Sequence, residues 1–319
     1  MPPPWTRGVP IAQRGPGESY RPEPIGTLHP PGVATRVLDH LAFAALEGTD
    51  GLAELWERAE AMTRDGLTVT VGLGPGAFAR RERPFALAEL PPFRGDDLAP
   101  ATCGGDVCVQ VCGDERAAAD DALAALTAGA AVRWSQAGVG GPRTLLGFRD
   151  GLAIPRRGKE LDRHVWVGRG DRSWMAGGTY LVVRRIRVDL AAWRALSMAE
   201  QERVIGRHRA SGAPLGHAHR FERMPLEGDA IPADAHARVA APSRNGGIVL
   251  LRRAYSYEGG LVLLLYQRDP RRQFVPLQRR LAERDALRDF TTTVGSAVFA
   301  IPPRAGSRPT ALRRPAARP

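Results

Sequence analysis

The chain has 319 residues, 43% of them apolar and 25% charged, which excludes a disordered or fibrous protein and leaves room for two modest cores. Its net charge of +11 is carried almost wholly by arginine, with Lys159 as the sole lysine. Five of these arginines follow Pro303, in RAGSRPTALRRPAARP, so the excess reads as a basic disordered tail and an arginine-rich composition rather than a nucleic-acid surface.

Residues 1–25 are rich in Pro and Gly and read as a disordered linker; no apolar core of signal-peptide length occurs in the first thirty. Uncharged apolar runs such as LVLLLY (261–266) are far too short to span a bilayer. From residue 38 an apolar strand (38–46) leads into the amphipathic GLAELWERAEAMTRDG and then into LTVTVGLG (67–74), which alternates with period two. After a Pro-rich connection come the strand DVCVQVCG, an Ala-rich helix in DERAAADDALAALTAGA, and the strand VRWSQAGVG. Cys103, Cys108 and Cys112 lack a fourth nearby ligand, and the alternation makes Cys108 and Cys112 small packing residues on one strand face rather than metal ligands. With no C-x-x-C-H, any haem is expected to be held without thioether links.

The second half repeats the pattern. A strand within 177–190 precedes a helix in AAWRALSMAEQERVIG. After a long excursion, NGGIVLLRRAYSY and GLVLLLYQRD pair across Glu258-Gly259, followed by the helix FVPLQRRLAERDAL and the strand VGSAVFAIPP. Twice β-α-β-β-α-β predicts an α+β protein of tandem ferredoxin-like domains with antiparallel sheets, of the dimeric α+β barrel kind. The expected units are 26–160 and 161–303, with 304–319 as the tail.

Two stretches carry chemistry. His236 opens HARVAAPS, where a neutral ring nitrogen can bind a metal, and LLRRAYSY sets the Arg252 charge beside apolar surface, which calls for an anionic partner. Between the halves, LLGFRDGLAIP (145–155) puts Asp150 in a G-x-x-D-G turn. His217 and His219 form a loop pair that reads as solvated.

HxRxAxP followed by LRRAYSY, about a hundred residues after G-x-x-D-G, resembles the dye-decolourising peroxidases, closest to the exported and deferrochelatase-like members. Ala254 stands where glycine is usual, and Leu152-Ala153-Ile154-Pro155 replaces T-x-x-P but keeps the proline. The resemblance runs from about His29 to Pro303 and includes VWVGRGDRSWMAGGTYLVVRRIRV. It implies the tandem ferredoxin-like fold, a haem b cofactor, and oxidation of dyes, phenols or other one-electron donors, small or bulky, by hydrogen peroxide. It also implies His236 as axial iron ligand, Asp150 as distal acid–base and Arg252 as distal charge stabiliser. IGRHRASGAPLG (205–216) makes Arg207 the candidate partner of a haem propionate, and ALRDFTTTVGS (286–296) makes Asp289 the carboxylate on the other nitrogen of His236.

Peroxide cleavage moves a proton from one peroxide oxygen to the other, a task for a carboxylate such as Asp150. Arg252 would stabilise charge on the leaving oxygen. A haem-handling protein with incidental peroxidase activity is the alternative. A nucleic-acid partner is not expected, because the strands lack the aromatic pattern that stacks bases. Trp134, Trp166, Trp174, Tyr180 and Tyr255 are candidate electron carriers. No membrane span is expected. A homo-oligomer and the compartment are left open, since exported relatives carry a twin-arginine signal that this sequence lacks.

Overall fold

The computed structural model describes residues 22–152, 154–155, 158–225 and 227–304; the proposed linker (but for its last four residues) and the tail (but for Arg304) lie outside these. The first half forms β1 (His40–Glu47), α1 (Leu52–Met62), β2 (Leu67–Leu73), β3 (Val107–Gly113), α2 (Arg116–Thr127) and β4 (Ala131–Val139). After α3 (Gly158–His164) the second half forms β5 (Thr179–Val188), α4 (Leu190–Ala195), α5 (Met198–Ile205), α6 (His236–Val239), β6 (Leu251–Tyr257), β7 (Gly260–Gln267), α7 (Phe274–Arg284) and β8 (Thr291–Ile301).

All pairings between strands are antiparallel, and the strand order is β1-β3-β2-β8-β5-β7-β6-β4 in a closed barrel. Each half contributes the ferredoxin-like order, its fourth strand beside its first and its third between first and second. The expected duplication is therefore present, with the two sheets fused edge to edge. Closure removes the unpaired edges that two separate sheets would expose. The repeat extends to a detail: the β1–β4 register shifts at Ala45/Leu46, and the β5–β8 register shifts at Arg185/Ile186.

Alternation along the strands sorts the core into two layers. Leu41, Phe43, Cys108, Leu181, Tyr266 and Phe299 fill the barrel, which Val33, Leu38, Leu161 and Trp166 help to pack. Ala42, Val71 and Val109 face outward under Leu55 and Trp56 of α1 and Ala122 and Leu126 of α2. Cys108 and Cys112 are fully buried free thiols inside the barrel, as the strand alternation predicts.

Two elements differ from the sequence reading. The helix expected over 191–206 is broken at Leu196, which is extended, and restarts under a capping box in which Ser197 and Glu200 satisfy each other's backbone N–H. The last strand begins at Thr291, three residues before the expected Val294.

The seams of the barrel need glycine. A Cβ on Gly72 would lie 2.3 Å from Ile301 Cδ1 at the β2–β8 seam, and one on Gly138 would lie 2.8 Å from Tyr255 Cβ at the β4–β6 seam. Gly138→Ala is therefore expected to destabilise the fold by about 1–3 kcal/mol. Urea unfolding checks this, and an unchanged midpoint would contradict the close approach.

Candidate active site

Alternation along β6 decides where its charges go. Arg253 enters the barrel and donates to the Val33 and Thr35 carbonyls at 2.6 and 2.7 Å. Arg252, one residue earlier, faces outward into a cavity of about 1020 Å³, at the top of the usual range of roughly 300–1,000 Å³ for small-molecule sites. The cavity lies between the outer face of the second sheet, which supplies Ile186, Ala254 and Leu263, and the helices α6 and α7.

The structure brings all five candidate residues, Asp150, Arg207, His236, Arg252 and Asp289, to this cavity. Asp150 and Arg252 form an ion pair in which Nε (3.0 Å) and Nη2 (2.6 Å) both donate to the same oxygen, Oδ1. The side chains are 15% and 32% exposed. Oδ2 of Asp150 accepts no hydrogen bond among the described residues, so one carboxylate oxygen is fixed and the other is available. Asp150 reaches this position on a small closed loop: Thr144 N–H donates to Phe148 O, Gly147 N–H to Thr144 O, and Asp150 N–H to Pro142 O. Gly147, at φ +86°, makes the turn, and a Cβ there would meet the Arg209 guanidinium at 2.4 Å.

His236 begins the one-turn helix α6, and its Nδ1 lies 2.6 Å from Oδ2 of Asp285. This corrects the expectation for Asp289. Asp285 caps the C-terminus of α7 and is only 6% exposed. Its Oδ1 accepts from the Leu287 N–H, while the neighbouring Ala286 N–H donates to Asp234 O, tying this turn to the segment before His236. Asp289 lies four residues beyond, its side chain 71% exposed and 3.7 Å from Arg288. The sequence holds no signal that separates the two, because Leu277, Leu281, Asp285 and Asp289 share one four-residue spacing and all line the cavity. With Nδ1 committed to Asp285, Nε2 of His236 is the ring nitrogen left for a ligand.

Arg207 donates only to carbonyls, those of Gly212 (2.8 Å) and Arg220 (3.2 Å). Burial, and then the like charge of Arg252, push its pKa down to about 10, so it remains a cation at neutral pH with no carboxylate beside it among the described residues. By contrast, Asp150 is held by Arg252, Asp96 pairs with Arg184 at 2.5 Å, and Glu222 takes His217 Nδ1 at 2.7 Å. Arg207 is thus a half-buried charge that faces the cavity with no carboxylate partner among the described residues.

None of the five candidate electron carriers is among the residues lining the cavity. Tyr255 is enclosed in the barrel, 3.5 Å from Cys112 Sγ, and Trp134 donates to Gly104 O at 2.9 Å. Among the described residues no group of three or more His, Cys, Asp or Glu side chains could hold a metal ion. No described helix is long and apolar enough to cross a membrane.

Family models for the N-terminal and C-terminal parts of Dyp-type peroxidases match residues 42–140 and 141–306. The chain belongs to the dye-decolourising (DyP-type) peroxidase family. It is 41% identical over 276 residues to a dye-decolorizing peroxidase of Thermobifida fusca, covering 74% of this chain and 64% of the relative. It is 33% identical over 278 residues to a deferrochelatase of Yersinia pestis, covering 74% and 63%. The chain therefore spans a little under two thirds of the length of these curated relatives.

Among solved structures, ferric DtpA from Streptomyces lividans is similar at 33% identity and a TM-score of 0.83, over 92% of this chain and 97% of that one. A DyP-type peroxidase from Cellulomonas bogoriensis is similar at 33% identity and 0.80, over 93% and 98%. DyPB from Rhodococcus jostii RHA1, at 24% identity and 0.69 over 88% and 97%, shares the fold.

A cation whose folded pKa is depressed destabilises the fold at every pH below that value. Arg207→Met is accordingly expected to leave the ligand-free chain as stable as the parent or about 1 kcal/mol more stable, since an apolar replacement removes the desolvation penalty. Chemical denaturation near pH 7 measures this; a loss of about 3 kcal/mol would mean that the arginine serves the fold and not a ligand.

Proposed function

We propose that the chain is a haem peroxidase, reducing hydrogen peroxide at the expense of one-electron donors such as dyes and phenols. The observation that carries this reading is one cavity holding three separate provisions. Among the described residues they are a histidine with Nε2 free and Nδ1 fixed by Asp285, an Asp150–Arg252 pair with one carboxylate oxygen uncommitted, and an arginine without an anion.

These residues fit haem b. His236 would be the axial ligand, its ring orientation and basicity supported by the buried Asp285 carboxylate. The uncompensated Arg207 suits a propionate. When bound, the haem supplies a redox-active iron with one open face for peroxide.

The protein's part is proton management. Asp150 Oδ2 would accept the proton from the peroxide oxygen nearest the metal and return it to the departing oxygen. Arg252 keeps Oδ1 occupied, so the same carboxylate edge is presented at each turnover, and its charge lies where negative charge develops. The apolar lining, including Phe148, Leu263 and Leu281, limits the water that competes for that proton.

The relatives called deferrochelatases favour a second reading, in which the same cavity binds haem to release its iron. Absorption spectra of the haem-loaded protein, mixed with one equivalent of peroxide, decide between the two. The peroxidase reading predicts rapid spectral conversion, a loss of rate of about 10²–10⁴-fold in Asp150→Ala, and loss of histidine ligation in His236→Ala. Slow bleaching with recovery of iron-free porphyrin supports the second reading, and absence of haem binding rejects both.

A further inference from the structure

One arginine near the cavity has an unusual set of partners. Arg143 donates through Nη1 to the Gly147 carbonyl at 2.9 Å and to the Arg209 carbonyl, and through Nη2 to the Ala210 carbonyl at 3.0 Å. Burial, followed by the like charges of Arg149 and Arg209, holds its pKa below the usual arginine range. No carboxylate pairs with it among the described residues. Among the described residues this partly exposed guanidinium donates to carbonyl oxygens alone, and those oxygens come from two separate loops.

Its acceptors belong to the two loops that carry site residues. Gly147 lies in the closed loop that ends at Asp150. Arg209 and Ala210 lie at the tip of the turn closed by the Arg207–Pro214 bridge, and the Gly212 carbonyl of that turn is itself held by Arg207. Arg149, next to Asp150, adds a longer contact from Nε to Ala210 O at 3.4 Å. The planar fork of Arg143 therefore spans from one loop to the other.

We propose that Arg143 is a positioning residue that pins the Asp150 loop to the Arg207 loop, so that the acid–base carboxylate and the anion-facing cation are held in place together. The inference rests on the peroxidase reading for its catalytic consequence but not for the clamp itself. A displacement of about 1 Å in a catalytic group can lower a rate roughly 100-fold. Among the described residues Arg143 makes no hydrogen bond to Asp150 and does not line the cavity, so its effect passes through the loops.

The test compares Arg143→Met, Arg143→Lys and Arg133→Met. Arg133 is the control, because it also donates to two carbonyls, those of Cys103 (2.7 Å) and Pro100 (3.2 Å), with a further bond to Glu47 (3.1 Å), and it lies away from the cavity. Amide hydrogen exchange is measured on the haem-free chains, and the second-order rate with peroxide and the KM for a dye donor on the haem-loaded ones. Arg143→Met is expected to lose protection over 143–150 and 207–212. Its peroxide rate should fall about 10- to 100-fold, with the donor KM within about twofold of the parent. Arg143→Lys, which keeps charge and donors, is expected to recover part of both, and Arg133→Met to change neither. Unchanged exchange in the two loops overturns the clamp, and lost protection with an unchanged peroxide rate overturns its catalytic consequence. A parent that binds no haem rejects the function proposed above, while the exchange measurement still decides the clamp.

Discussion

Adjacent residues of a β-strand point to opposite faces, and the site depends on this at Arg252 and Arg253. Closing the barrel makes one face an interior and the other an exterior. Arg253 becomes a bolt between β6 and the segment at Val33–Thr35, and Arg252 becomes the wall of a cavity. A one-residue slip in the β6–β7 register would exchange these roles and break both. That register is set by Glu258-Gly259 and by seven paired positions from Leu251↔Tyr266 to Tyr257↔Gly260.

The packing of the two halves explains why the large cavity lies on the second sheet. In the first half, α1 and α2 pack directly on the sheet, and small residues such as Ala42, Ala44 and Ala119 let them approach closely. In the second half, α7 covers the sheet only in part, with Phe274 and Ala282 as its buried residues. Between β5 and β6 the long excursion that includes α6 fills in the rest, and the space left between is the cavity. The connection between the halves delivers Asp150 to the outward face of β6. The chemistry is thus assembled from segments distant in sequence, 102 residues apart for Asp150 and Arg252 and 49 for His236 and Asp285.

Much of this was legible in the chain. Period-two alternation located the strands, the repeated β-α-β-β-α-β order gave the two ferredoxin-like halves, and the resemblance at His236, Asp150 and Arg252 marked residues that meet in one cavity. The barrel-like architecture was expected, but not its seams, which rest on single pairings at Leu73↔Ala300 and Val139↔Ser256 that no local pattern encodes. The expectation for Asp289 failed for a related reason. Two aspartates four residues apart look alike in sequence, and only the end of α7 places one under the histidine and the other toward solvent. Arg143 escaped notice because its partners are backbone carbonyls, which any sequence would supply.

The central claim is that one cavity on the outer face of the second sheet holds a porphyrin between its axial histidine and its acid–base pair. A crystal structure of the haem-loaded protein tests this most directly. The account predicts porphyrin density in this cavity, iron bonded to Nε2 of His236, Asp285 still on Nδ1, and Asp150 and Arg252 facing the other side of the ring. Iron ligated by any other residue, or a porphyrin seated elsewhere, would contradict it.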